Sequence, residues 1–130
     1  ELKVDIFKTS RKAPLSTSSL KASLSFKEIG IDMNLIQCGG NNPITQEREQ
    51  WTDGANAFCL APGIIISYDR NPITLLELEK HNYKKISTND FLALDNFDRN
   101  QKTVIAIESG ELSRGRGGPR CMTMPINRIK

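Results

Sequence analysis

AFCLAPGIIISYDRNPITLLELEK, residues 57–80, sets the architecture. Ala57 to Ala61 and Ile64 to Tyr68 are two short apolar runs, read as strands, with Pro62-Gly63 between them. Proline fixes φ at the first central position of a turn and glycine supplies the positive φ of the second, as a type II turn requires. Asn71-Pro72 then opens a helix, because a proline at the first helical position gives up only a free N–H. Leu75, Leu76 and Leu78 crowd one side of that helix through Lys80. Strand, turn, strand and helix in succession argue for an α/β layout.

Working outward, Thr103 to Ile107 is a β-branched strand that leads into ELSRGRGGPRCMTMP, residues 111–125. Upstream, Asn42-Pro43 starts a helix that runs to about Trp51, Cys38-Gly39-Gly40 turns the chain, and Met33 to Gln37 reads as a strand. Thr17 or Ser18 is placed to cap a helix carrying Leu20, Leu24 and Phe26 and ending at Gly30. Leu2, Val4 and Ile6 alternate with polar neighbours, as a half-buried strand does. No internal repeat and no linker composition interrupts the chain.

The 111–125 stretch carries the chemistry. Gly115, Gly117 and Gly118 let the backbone turn tightly and approach a ligand. Arg114, Arg116 and Arg120 set three cations near the Cys121 thiol, and positive charge favours the nucleophilic thiolate. Met122 to Met124 reads as a short strand that would hold the cysteine at its head. On chemistry alone a solvated basic loop beside a buried, inert cysteine fits the same residues.

The 130 residues fit one domain, and 38% hydrophobic with 25% charged residues is ordinary globular composition. A net charge of +3 does not argue for nucleic acid, and RGRGG occurs once between apolar runs rather than as a disordered repeat. The cysteines, Cys38, Cys59 and Cys121, are odd in number and lack metal-type spacing. The chain therefore reads as reduced, intracellular and cytoplasmic. Its longest mainly apolar run, Ala57 to Ile66, is too short to span a membrane. The N-terminal ELKVDIF lacks a signal-peptide layout.

The GRGGPRC loop, with Cys38-Gly39-Gly40, REQWTDGAN from Arg48 to Asn56, Ala61-Pro62-Gly63 and Tyr68 to Asn71 in order, resembles the C-terminal part of the arginine deiminases. The resemblance implies a pentein-type α/β propeller, a ring of five ββαβ modules of which residues 1–130 supply about two. It implies L-arginine as substrate, Cys121 as nucleophile, no metal and no organic cofactor. The thiolate attacks the guanidinium carbon, ammonia leaves, and water hydrolyses the amidino-cysteine to L-citrulline. Gly115 matches a glycine whose backbone contacts the amino-acid end of the substrate, and Arg116 a gate residue of some members. Agmatine is the sibling substrate, which the RGRGGPRC wording disfavours.

An unperturbed thiol has a pKa of ~8.5, so the chemistry needs activators. In the family these are carboxylates and a His-x-Asp histidine upstream of the CGG motif, and this chain contains no His-x-Asp. Its one histidine, His81, falls at a predicted helix end, where a cation suits the dipole. Asp53 and Asn56 are assigned to capping and turning, with a contact to the active site as the lesser alternative, Trp51 to the core, and Cys38 and Cys59 to packing as small apolar residues. The chain alone is therefore expected to be inactive. It is expected to associate with itself or with a complementary N-terminal chain. The competing expectation is a non-catalytic, truncated or split deiminase-like protein that acts only by association. Residues 86–101, ISTNDFLALDNFDRN with Gln101, exceed the family pattern. They read as a surface insertion packing its apolar side locally, with an extra binding lobe as the alternative.

Overall fold

A computed structural model describes residues 4–6, 15–17, 34–124 and 126–127. The chain divides into two units, Glu1–Leu35 and Ile36–Lys130. In the first, β1 (Val4–Ile6) and β2 (Leu15–Thr17) form an antiparallel ribbon with Val4 opposite Thr17 and Ile6 opposite Leu15. Thr17 is thus the last residue of β2. The helix expected over residues 18–30 lies outside the described residues.

The second unit is an α/β layer. Its elements are α1 (Pro43–Trp51), β3 (Phe58–Ala61), β4 (Ile64–Tyr68), α2 (Pro72–Lys80), β5 (Lys84–Ser87), α3 (Thr88–Leu92), β6 (Thr103–Ile107) and a 3₁₀ turn, Leu112–Gly115. The four strands lie in the order β3-β4-β6-β5. β3 and β4 make an antiparallel hairpin through Pro62-Gly63, and Gly63 has the φ of +78° that a type II turn demands. β6 then pairs in parallel with β4 on one side and β5 on the other. A strand covered on both faces loses alternation, and Thr103, Val104, Ile105 and Ala106 are all buried. Val104 and Ala106 join Leu75 and Leu78 of α2 in the core, with Ile36, Ile65 and Tyr83 packed around them.

Several expectations fail for local reasons. Leu76 is half exposed, because adjacent helical residues point about 100° apart and Leu75 already takes the inward direction. Residues 34–37 form no strand; of the four only Ile36 packs against the core, and Leu35 is exposed. β5 escaped the sequence reading because KKIS holds one apolar residue, with lysines on an outer strand. Met122–Met124 is not a strand either. The N–H groups of Cys121 and Thr123 turn back to the Gly118 and Arg120 carbonyls at 3.0 and 3.3 Å, and both methionines are exposed.

The two longer helices are tied by a carboxylate. Glu49 of α1 is fully buried, and its oxygens accept from the Ile73 and Thr74 N–H groups at 2.9 and 2.7 Å and from the Thr74 hydroxyl at 2.7 Å. The first N–H groups of a helix have no partner within it, so Glu49 supplies α2 with a cap from another helix. Asn71, which precedes α2, makes no cap bond of its own and turns instead to Thr52, donating from Nδ2 to the Thr52 carbonyl at 3.0 Å. Thr74 also accepts from Gly39 N–H at 2.9 Å, which docks the CGG turn. Gly39 and Gly40 both take positive φ, and a Cβ on Gly39 would sit 2.4 Å from the Thr45 carbonyl oxygen.

Candidate active site

Because α1 is clamped at Glu49, the turn that follows it has a fixed place. Thr52 closes the helix, Asp53 takes a left-handed φ of 60°, and Gly54 N–H bonds the Glu49 carbonyl at 2.7 Å. Gly54 is pressed so closely that a Cβ would meet the Cys38 sulfur at 2.8 Å. Asn56 N–H then bonds the Asp53 carbonyl at 3.0 Å, and the Asn56 side chain faces the cysteine loop.

That loop starts at the end of β6. Its neighbours hold it from below. Arg70 donates through Nη1 to the Gly110 carbonyl, and Ser109 and Ser113 are buried. Tyr68, the last residue of β4 and wholly buried, donates its hydroxyl to the Gly117 carbonyl at 2.9 Å. Burial, then the charges of Asp53 and Cys121, push the Tyr68 phenol above its ordinary value. Gly118 lies directly on Asn56: a Cβ there would stand 2.4 Å from Asn56 Cβ and 2.7 Å from its carbonyl oxygen. The loop therefore closes onto the turn only with glycine at 118.

The result is a cleft of about 490 Å³ lined by Gln50, Asp53, Ala55, Asn56, Ala57, Arg120 and Cys121. Cys121 is exposed, and Asn56 Nδ2 donates to its sulfur at 3.0 Å. Asp53 Oδ2 and Asn56 Oδ1 are buried without a hydrogen-bond partner. An acidic oxygen, a cation and a thiol share one open wall, a composition suited to a small polar substrate.

The structure brings together Cys121 and Arg120 from the loop but not the other predicted site residues. Gly115 ends the 3₁₀ turn with open space at its Cβ position, and it does not line the cleft. Arg116, in a left-handed conformation at φ 60°, lays its guanidinium 3.8 Å from the centre of the Trp51 ring. Arg114 pairs with Glu111 at 2.9 Å. Only Arg120 of the three loop arginines therefore belongs to the cleft wall. Trp51 is a half-exposed platform and not a core residue. Cys59 is exposed rather than packed, while Cys38 is half-buried beside Thr74, and burial raises its thiol. His81 closes α2, its Nδ1 2.9 Å from the Glu77 carbonyl. Sequence reasoning put Asn56 first in the turn, a role it also fills, and kept a site contact as the lesser alternative; the sign was its place in TDGAN, one of the stretches that carried the resemblance.

Comparison with known proteins shows the family. The arginine deiminase family description matches residues 4–128. The chain is 40% identical over 99 residues to the arginine deiminase of Latilactobacillus sakei, covering 76% of this chain and 20% of that protein. With that of Streptococcus pneumoniae strain Hungary19A-6 it shares 39% over 108 residues, covering 82% of this chain and 22% of the relative. The chain thus spans about a fifth of the length of the curated relatives it matches. No helix among the described residues is long and apolar enough to cross a membrane. Over nearly its whole length, then, the chain belongs to the arginine deiminase family.

Proposed function

We propose that this chain carries the nucleophile of an arginine deiminase and contributes about two ββαβ modules to a pentein-type ring. The observation that carries the reading is the exposed Cys121 sulfur in the wall of the 490 Å³ cleft, between Asn56 and Arg120. Cys121 as thiolate attacks the guanidinium carbon of L-arginine, forming an S–C bond. The C–N bond breaks and the nitrogen leaves, protonated, as ammonia. Water then attacks the amidino carbon, the S–C bond breaks, and citrulline and the thiolate are released. Proton transfers at both steps call for an acid–base group. His81, bonded to its own helix end, is poorly placed for that task, which supports a second polypeptide segment supplying it.

Of residues 86–101, expected as an insertion, Ile86 and Ser87 belong to β5 of the sheet, and in this reading residues 88–101 are a surface addition to the family pattern. Phe91 and Phe97 pack edge to face at 5.2 Å, and the Thr88 hydroxyl donates to the Ala106 carbonyl at 3.3 Å. The chain alone forms no citrulline from arginine. Mixed with an N-terminal arginine deiminase portion bearing His-x-Asp, it forms citrulline, and Cys121→Ser abolishes the product. A mixture that binds but stays inactive under all conditions would favour the non-catalytic alternative.

A further inference from the structure

Asn56 is the one side chain that touches the sulfur of Cys121 by hydrogen bond among the described residues. Three observations make this contact built rather than incidental. The Nδ2···Sγ distance of 3.0 Å is short for an amide on sulfur, and a thiolate accepts far better than a thiol. The other end of the amide, Oδ1, is buried with no partner. Its own hydrogen-bonding needs do not hold the side chain in this pose, since a buried amide normally satisfies both ends. What holds it is the backbone: Asn56 N–H on the Asp53 carbonyl, and Gly118 pressed against Asn56 Cβ and Cγ. The same loop is tied from behind by Tyr68 to the Gly117 carbonyl.

We propose that Asn56 is a catalytic residue that donates its side-chain amide to the Cys121 thiolate, stabilising the nucleophile and aiming it into the cleft. This rests on Cys121 being the nucleophile. The amide remains neutral, so its aid does not compete with a cationic guanidinium as an arginine beside the sulfur would. Asn56 thus offers one local donor to a thiol whose three neighbouring arginines are mostly committed elsewhere: Arg114 to Glu111 and Arg116 to Trp51. The other titratable or charged groups around the sulfur are Asp53 and Arg120 in the cleft wall and Tyr68 behind the loop.

The test is the pH profile of iodoacetamide alkylation at Cys121 in the whole chain, read peptide by peptide by mass spectrometry, so that no other thiol need be changed. Asn56→Ala should move the inflection up by about one pH unit, a roughly tenfold loss of thiolate at neutral pH. Asn56→Asp, near in shape, should move it further by placing a carboxylate on the sulfur. Both variants are first compared with the parent by thermal unfolding. Should Asn56→Ala not fold, Asn56→Leu, near in shape but without a donor, takes its place with the same upward shift expected. An inflection that stays put or falls in the folded variants overturns the inference, and a fall would mean that the amide accepts from the thiol. The nucleophile is examined separately: citrulline formation by the reconstituted enzyme that survives Cys121→Ala would overturn the mechanism, while leaving the alkylation result as measured.

Discussion

Glu49 and Asn56 stand seven positions apart, on the same helix-and-turn segment, and their polar atoms fare in opposite ways. Glu49 is sealed from water, and both its oxygens are occupied by donors from α2. Asn56 and its neighbour Asp53 each leave a buried oxygen unpartnered beside an open cleft. The first arrangement fixes backbone; the second leaves binding capacity unspent. A buried group without a partner costs roughly 1–3 kcal/mol, and a fold tolerates that cost most readily where a ligand can supply what is missing. One short segment therefore serves as both anchor and cleft wall.

The largest effect that would break this comparison lies on the cleft side. In the reconstituted enzyme Cys121→Ser should lower citrulline formation by on the order of 10⁶, the loss seen when one member of a coupled catalytic set is removed. Unfolding of the variant in urea should match the parent. A large stability loss would mean that the cysteine serves structure as well. On the anchor side, Glu49→Ala strands two N–H groups and a hydroxyl. It should cost about 3 kcal/mol in urea unfolding, and a value under 1 kcal/mol would show that water replaces the carboxylate.

How much of this was legible beforehand follows from the kind of interaction involved. The hairpin, α1, α2 and β6 were readable because Pro-Gly, Asn-Pro and β-branched runs act on their own backbone. The partnership of Glu49 with Ile73 and Thr74 joins residues 24 and 25 positions apart and leaves no local mark. Asn56 is harder still, since 65 positions separate it from Cys121 and a turn role accounts for it equally well. β5 was hidden for a related reason: Lys84 and Lys85 are strand residues only because β6 offers them a parallel edge.

Smaller effects sharpen the comparison. Tyr68→Phe removes the hydroxyl that holds Gly117 and should cost about 1 kcal/mol, with greater protease sensitivity between residues 110 and 121 than elsewhere. Equal sensitivity everywhere would show that the loop does not depend on this tie. The same residue gives a pH signature. Its pKa is raised in the folded chain, so its contribution to stability is intact below the unfolded value, near ~10. It is lost as pH rises through the higher folded value, because the unfolded chain gives up the proton first. The decline of stability above about pH 10 should be shallower in Tyr68→Phe, and identical slopes would mean that the phenol is not held against ionisation. Smallest of all, Cys38 should be the slowest of the three thiols to react with a neutral alkylating agent at pH 8, because burial raises it.

The position of β6 has a consequence for the life of the chain during synthesis. β4 and β5 do not bond to each other; β6 lies between them, and among the described residues it is the last strand in sequence. A nascent chain that has not yet released Thr103–Ile107 holds a hairpin and a lone strand with no ladder between them. Residues 108–121 follow directly, so Cys121 leaves the ribosome only after the strand that unites the sheet. A chain cut short by a stalled ribosome or a protease before residue 103 lacks both, and is an unpaired edge without the cysteine loop, ready material for quality control.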